Sequence, residues 1–211
     1  MSYLLFYAPG TASLAVHWML IELGAPFEAR AVDIKAERSV AYLALNPAGR
    51  VPTLMVDGAP VSESAALLML LAERHPKGGF APVLGSPGRA AWLETMLVLA
   101  NGLSPAMRDW FYADSDGDSA GAEAVRALAR VRIEAVFERL DRMLADGRPF
   151  LLGDTVTTVD LLATMLMRWS RNMQRPATSW QNLGPYVTRM RARPGFAEVC
   201  RREGLSDWMN D

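Results

Sequence analysis

The stretch Val51–Ser64, VPTLMVDGAPVSES, decides the fold. Two short apolar runs, Thr53–Val56 and Ala59–Val61, flank Asp57-Gly58. That dipeptide tolerates positive φ, which a two-residue hairpin turn demands. The stretch is therefore predicted to be a β-hairpin. It is entered through Val51-Pro52 and left through Glu63-Ser64, where a helix over 64–74 begins. Upstream, YLLFY (3–7) reads as a buried strand closed by Pro9-Gly10. Val16, Met19, Leu20 and Leu23 recur with helical spacing until Gly24, Phe27–Ile34 reads as a strand, and Ser39–Leu45 as a short helix stopped before Asn46-Pro47. The order is β-α-β-α-β-β-α, a mixed sheet with helices packed on it.

Downstream the character changes. Residues 77–87 are rich in Pro and Gly, as a linker would be. Beyond them only helical periods occur. Ser86-Pro87 suits an N-cap and first helical residue, opening a helix that runs to about Tyr112 with a kink near Gly102 and Pro105. Ile133, Val136, Phe137, Leu140 and Leu144 line one face of the next helix, where Glu138 can pair with Arg142. Three more helices are predicted near 158–174, 183–193 and 196–204. The reading is an α+β domain over 1–76, a linker over 77–87 and an all-α helical domain over 88–211.

The chain has 211 residues, 51% of them hydrophobic, which supplies a core and argues against disorder. A formal net charge of −1 offers no excess cation to meet phosphates, so general nucleic-acid binding is not expected. One cysteine, Cys200, and two histidines exclude a disulfide framework and a Cys/His zinc site. The N-terminus lacks a signal-peptide pattern, and the apolar run Ala65–Ala72 is far short of the roughly 20 residues of a membrane helix. A cytoplasmic protein without membrane association is expected.

Several patterns have plain readings. Asp114, Asp116 and Asp118 alternate in DSDGDSAG (114–121), but the glycine is misplaced for a calcium loop and Val125 stands where the closing glutamate belongs. A solvated loop is expected, and no metal site. Arg168, Arg171 and Arg175 share a face with Thr164 and read as the wet side of a helix, with reception of an anion as the functional alternative. His17 reads as structural or exposed. Thr157 and Asp160 have capping-box spacing, with Val156 and Leu161 as the hydrophobic staple, which is a folding signal.

Val51-Pro52 admits two readings. A trans proline can stand at the mouth of an edge strand, which does not need its N–H. A cis bond would instead turn the Val51 N–H and C=O to solvent, where an extended ligand could pair with them as an added strand does. Glu63-Ser64 likewise reads either as an ordinary helix start or as a site for a zwitterion. Free amides, the helix dipole and Ser64 Oγ would hold a carboxylate, and Glu63 would accept from an ammonium.

With YAPGTASLAVHWMLIELG (7–24), NPAGRVPTL (46–54), SES (62–64) and FLLGDTVTTVD (150–160) in this order and spacing, the chain resembles cytosolic glutathione transferases, especially bacterial ones near the beta class. The resemblance covers nearly the whole chain. It implies a thioredoxin-like N-terminal domain, an all-α C-terminal domain, a cis Pro52, glutathione as co-substrate and a homodimer. The glutathione cysteinyl amide would pair with Val51, and its γ-glutamyl group would sit on Glu63 and Ser64. A small hydrophobic electrophile would lodge between the domains against Met96, Asn101, Met107, Arg108 and Trp110. The cysteine of the beta class falls at Ala12 here, so no mixed disulfide with glutathione can form there. Ser13, Tyr7 and Thr11 are the candidate donors to a glutathione thiolate, and Arg38 and Lys35 the candidate cations for its glycine carboxylate. Isomerase, reductase or lyase chemistry on glutathione, or an inactive binding or regulatory module, are the alternatives.

Overall fold

The computed structural model describes residues 2–116 and 119–208. They form two compact units, one of residues up to Ala81 with those from Arg191 onward, the other Pro82–Met190. The chain thus returns to its first unit at the end, whereas the sequence reading assigned 88–211 to one helical domain. Gly117 and Asp118 of the acidic loop lie outside the described residues.

The first unit runs β1 (Tyr3–Tyr7), α1 (Leu14–Glu22), β2 (Phe27–Ala31), α2 (Val40–Leu45), β3 (Thr53–Val56), β4 (Ala59–Ser62) and α3 (Ser64–Arg74). The sheet order is β2-β1-β3-β4. β1 and β2 are parallel, with Tyr3 opposite Phe27 and Tyr7 opposite Ala31, while β3 is antiparallel to both β1 and β4. Alternation along β1 sends its side chains two ways. Tyr3 Oη lies 2.9 Å from His75 Nε2 past the end of α3, and the Tyr7 ring is 5.1 Å from His17 of α1. Phe6 packs on Tyr42 of α2 across the other face. The sheet is therefore covered on both sides, the thioredoxin-like arrangement. Residues 14–20 of α1 are all buried, so this helix has no wet face to show in its sequence period.

The hairpin forms as predicted, with Asp57 at φ 52° and Gly58 at φ 83°. β2 ends three residues earlier than predicted. Asp33 Oδ1 accepts the N–H groups of Lys35 (2.8 Å) and Ala36 (3.3 Å), a side-chain turn that competes with the strand ladder.

The second unit contains α4 (Gly88–Val98), a π-helical turn (Leu99–Leu103), α5 (Ser104–Tyr112), α6 (Ala122–Met143), α7 (Thr158–Trp169) and α8 (Leu183–Arg191). The expected kink is that π turn, lying just before Pro105, which cannot donate a helical hydrogen bond. Ser86 does not cap α4. Its buried Oγ has no partner among the described residues, and its carbonyl accepts from Arg89 instead. Ile133, Phe137 and Leu140 of α6 are buried, and Arg142 reaches Glu138 at 2.7 Å.

α7 is buried almost all round. Asp160, fully buried, accepts from Thr157 N–H (2.8 Å), Leu151 N–H (3.0 Å) and Tyr186 Oη (3.0 Å). The arginines do not form one wet helix face: of the three only Arg175, beyond the end of α7, is exposed. Arg168 is buried, Arg171 donates to the Arg168 carbonyl, and Arg175 stacks 3.5 Å above Trp180. No helix of the described residues is long and apolar enough to cross a membrane.

The last helix, α9 (Pro194–Glu203), packs on α1. Arg193 holds Glu22 by two hydrogen bonds (3.0 and 2.8 Å), and Glu22 also accepts from Trp18 Nε1 (2.9 Å). Gly195 permits the approach, since a Cβ there would lie 2.6 Å from Glu22 Oε1.

Candidate functional site

The site is built from four loops of the first unit. The Val51-Pro52 peptide bond is cis. The Arg50 carbonyl before it is pinned by Tyr42 Oη (2.7 Å) and Asn46 Nδ2 (2.8 Å), and Asn46 also reaches Thr53 Oγ1 (3.0 Å). The buried Asn46 therefore ties the end of α2 to the start of β3. The Val51 N–H and C=O have no hydrogen-bond partner among the described residues.

At the start of α3, Glu63 adopts φ 74° and ψ 110°. A non-glycine residue in that region costs about 1–3 kcal/mol and persists only where its surroundings demand it. No side chain caps the helix, and the first helical bond is Leu67 N–H to the Glu63 carbonyl (2.9 Å). The amides of Ser64, Ala65 and Ala66 precede it and have no intrahelical acceptor. They lie at the positive end of the helix dipole, next in sequence to the exposed Glu63. This pairing of free donors and one acceptor suits a zwitterionic head group.

Ser64 Oγ donates to the Ala12 carbonyl at 2.7 Å. This bond brings the loop after β1 to the start of α3. Within that loop the Ala8 carbonyl accepts from Thr11 N–H (3.3 Å), Thr11 Oγ1 (2.8 Å) and Ser13 Oγ (3.1 Å), while Ala8 N–H donates back to Ser13 Oγ (3.1 Å). Ser13 is fully buried and its hydroxyl is held inside the loop, so it braces the turn rather than facing a ligand. Thr11 is half-buried, and Ala12 N–H has no partner among the described residues. Tyr7 is half-buried and its ring lies against His17.

The two candidate cations separate. Arg38 donates to the carbonyls of Gly49 (2.9 Å), Ile34 (2.7 Å), Asp33 (2.6 Å) and Ala36. Its guanidinium stitches the loop after β2 to Gly49 and is not offered to a ligand. That stitch sets Lys35 and Arg50 on adjoining loops, both exposed and without an ion-pair partner among the described residues. Arg50 was not among the candidates read from the sequence. Its position next to Val51-Pro52 was the available signal.

The residues expected to line a second substrate all belong to the second unit. Met96 and Met107 are fully buried core side chains, so neither presents a surface. Asn101 is exposed on the π turn, Arg108 pairs with Asp116 and lies over Tyr112, and Trp110 meets the edge of Phe111.

The first unit is thus a thioredoxin-like sheet that carries a cis proline, an unpaired backbone edge at Val51 and an uncapped helix start at α3. Residues 11–74 match the glutathione S-transferase N-terminal domain family, and residues 123–211 the C-terminal domain family. The chain is 31% identical over 210 residues to glutathione S-transferase GST-4.5 of Xanthomonas campestris pv. campestris, covering 96% of this chain and 99% of that one. It resembles a sphingomonad glutathione S-transferase solved in complex with glutathione (TM-score 0.84, 31% identity, 96% and 100% coverage). It also resembles the beta-class enzyme of Sphingomonas chungbukensis (TM-score 0.83, 28% identity, 96% and 99% coverage). The chain belongs to the glutathione S-transferase family.

Proposed function

We propose that this protein binds glutathione and activates it as a thiolate for attack on a small hydrophobic electrophile. The observation that carries the reading is the strained Glu63 beside three free amides and the unpaired Val51 edge. The γ-glutamyl carboxylate takes the Ser64 and Ala65 amides with Ser64 Oγ, and its ammonium takes Glu63. The cysteinyl amide pairs with Val51 beside Pro52, and the glycine carboxylate turns to Lys35 and Arg50. The sulfur then lies toward Thr11 and Ala12 at the start of α1. Thiolate, not thiol, is the nucleophile, and a charge-assisted hydrogen bond favours it. Thr11 is the donor that fits best. When its proton turns to sulfur, Ser13 still satisfies the Ala8 carbonyl at 3.1 Å. Tyr7 is the second candidate. The enzyme forms no covalent intermediate, and conjugation in the cytoplasm by a homodimer, in a detoxifying role, completes the reading.

A second reading, a binding or regulatory module, rests on Ala12, where no cysteine stands. Retention on immobilised glutathione followed by a chlorodinitrobenzene assay separates the two. Binding with turnover is expected. Binding without turnover of several electrophiles would favour the module, peroxide or disulfide turnover a reductase, and absence of binding would refute both.

A further inference from the structure

Glu203 is the wrong residue for its local setting. It is the last residue of α9, where the helix dipole disfavours an anion, and its side chain has no accessible surface. A buried carboxylate is costly unless it is paired and hydrogen-bonded. Its partners lie at the other end of the chain. Glu203 Oε2 accepts the Gly10 N–H at 2.8 Å, and Oε1 meets His17 Nδ1 at 2.8 Å. His17 is itself buried between the rings of Tyr7 (5.1 Å) and Phe27 (5.4 Å), so neither member of the pair can swing away. Where local chemistry is violated without a local gain, the compensation lies in tertiary structure or function.

The loop from Gly10 to Ala12 is thus held at three points. The Ala8 carbonyl gathers Thr11 and Ser13, Ser64 holds Ala12, and Glu203 holds Gly10. Gly10 sits at φ 67°, a conformation in which glycine gives the backbone no steric guidance of its own. The hydrogen bond from Gly10 N–H to Glu203 adds an external restraint on the direction in which Thr11 and Ala12 follow.

We propose that Glu203, steadied by His17, is a positioning residue that aims the Thr11 hydroxyl and Ala12 amide at the sulfur of the bound thiol. The proposal rests on the glutathione reading above and adds a role for the C-terminal helix within the first unit. It concerns reach rather than charge: a carboxylate or an amide of the same length serves, and a shorter carboxylate does not. Misplacement by about 1 Å can cost on the order of a hundredfold in rate.

The test compares Glu203→Asp, which keeps the charge and withdraws it by one methylene, with Glu203→Gln, which keeps the reach and loses the charge. Three quantities are read: kcat and KM for glutathione conjugation, the pKa of the bound thiol from its thiolate absorbance, and amide hydrogen exchange over residues 8–13 in the folded protein. Glu203→Asp is expected to lose about tenfold or more in kcat with little change in KM. It should also raise the bound thiol pKa and speed exchange at the loop, with Glu203→Gln the less affected in all three. Equal kcat, thiol pKa and loop exchange in Glu203→Asp and wild type, whatever the melting temperature, would overturn the proposal. A larger loss in Glu203→Gln than in Glu203→Asp would overturn it too, because charge would then be the cause. If the wild type binds no glutathione, the transferase reading fails by itself, and loop exchange still decides whether Glu203 holds Gly10.

Discussion

Removing the Ser64 hydroxyl tests the centre of the proposed site. In the free protein Ser64 Oγ gives its one proton to the Ala12 carbonyl at 2.7 Å. On binding, that proton would pass to the γ-glutamyl carboxylate. The affinity change on Ser64→Ala is therefore a difference between two hydrogen bonds. A bond to a charged group is worth about 1.5–3 kcal/mol and a neutral one about 1 kcal/mol, leaving about 0.5–2 kcal/mol. That corresponds to a roughly 2- to 30-fold weaker Kd for glutathione, not an abolition, because the backbone amides of α3 remain. The free protein also loses its bond to Ala12, about 1 kcal/mol, which lowers Tm by about 2–4 °C at this chain length. Titration calorimetry with glutathione and a thermal melt of the free protein measure the two effects separately. An unchanged Kd together with the expected fall in Tm would mean that Ser64 serves only to join the loop to α3. The placement of the γ-glutamyl group would then be wrong.

Lys35→Ala and Arg50→Ala are each expected to weaken glutathione binding by up to about fivefold at low salt, the scale of an exposed ion pair. The effect should vanish with γ-glutamylcysteine, which lacks the glycine carboxylate, and a persistent effect would reassign these cations. Asp160→Ala strands two backbone N–H groups and the Tyr186 hydroxyl in the core of the second unit. Urea unfolding should show a loss of about 3–5 kcal/mol, with Asp160→Asn losing less, and a loss under about 1 kcal/mol would contradict the buried network. Arg148 beside Asp146, and Arg201 with Arg202 beside Glu198, hold those two carboxyls down to about 2. A depressed carboxyl contributes stability that is present above its unfolded pKa and lost as pH falls through the folded one. Burial pushes Asp160 the other way, so its contribution shrinks as pH rises above the ordinary carboxylate range. The acid limb of a Tm–pH profile between about pH 4 and 2 should therefore flatten in Glu198→Gln and not in Asp160→Asn.

Much of the architecture was legible because its signals are local. The Asp57-Gly58 turn, the Pro47 stop after α2, the Thr157–Asp160 start of α7 and the face of α6 each follow from a few neighbouring residues whose backbone preferences agree. The positions of two unusual backbone features were legible too, since Val51-Pro52 and Glu63-Ser64 stand at a strand entrance and a helix start that the structure finds cis and at positive φ. The assignment of individual side chains was not. Ser13 and Arg38 have suitable chemistry for a ligand, but packing directs their hydrogen bonds inward, to Ala8 and to four loop carbonyls. Met96 and Met107 look like pocket walls in one dimension and are core in three.

What the sequence determined by itself is the succession of elements, because turn, cap and period are properties of adjacent residues; the cis form of Val51-Pro52 was one of two readings until the structure decided it. What only the tertiary structure decided is which polar groups remain free. Glu203 and Gly10 stand 193 positions apart, and nothing in the local chemistry of either names the other. Their hydrogen bond exists because α9 folds back onto α1, and donors and acceptors are matched by proximity in space, which no linear spacing encodes.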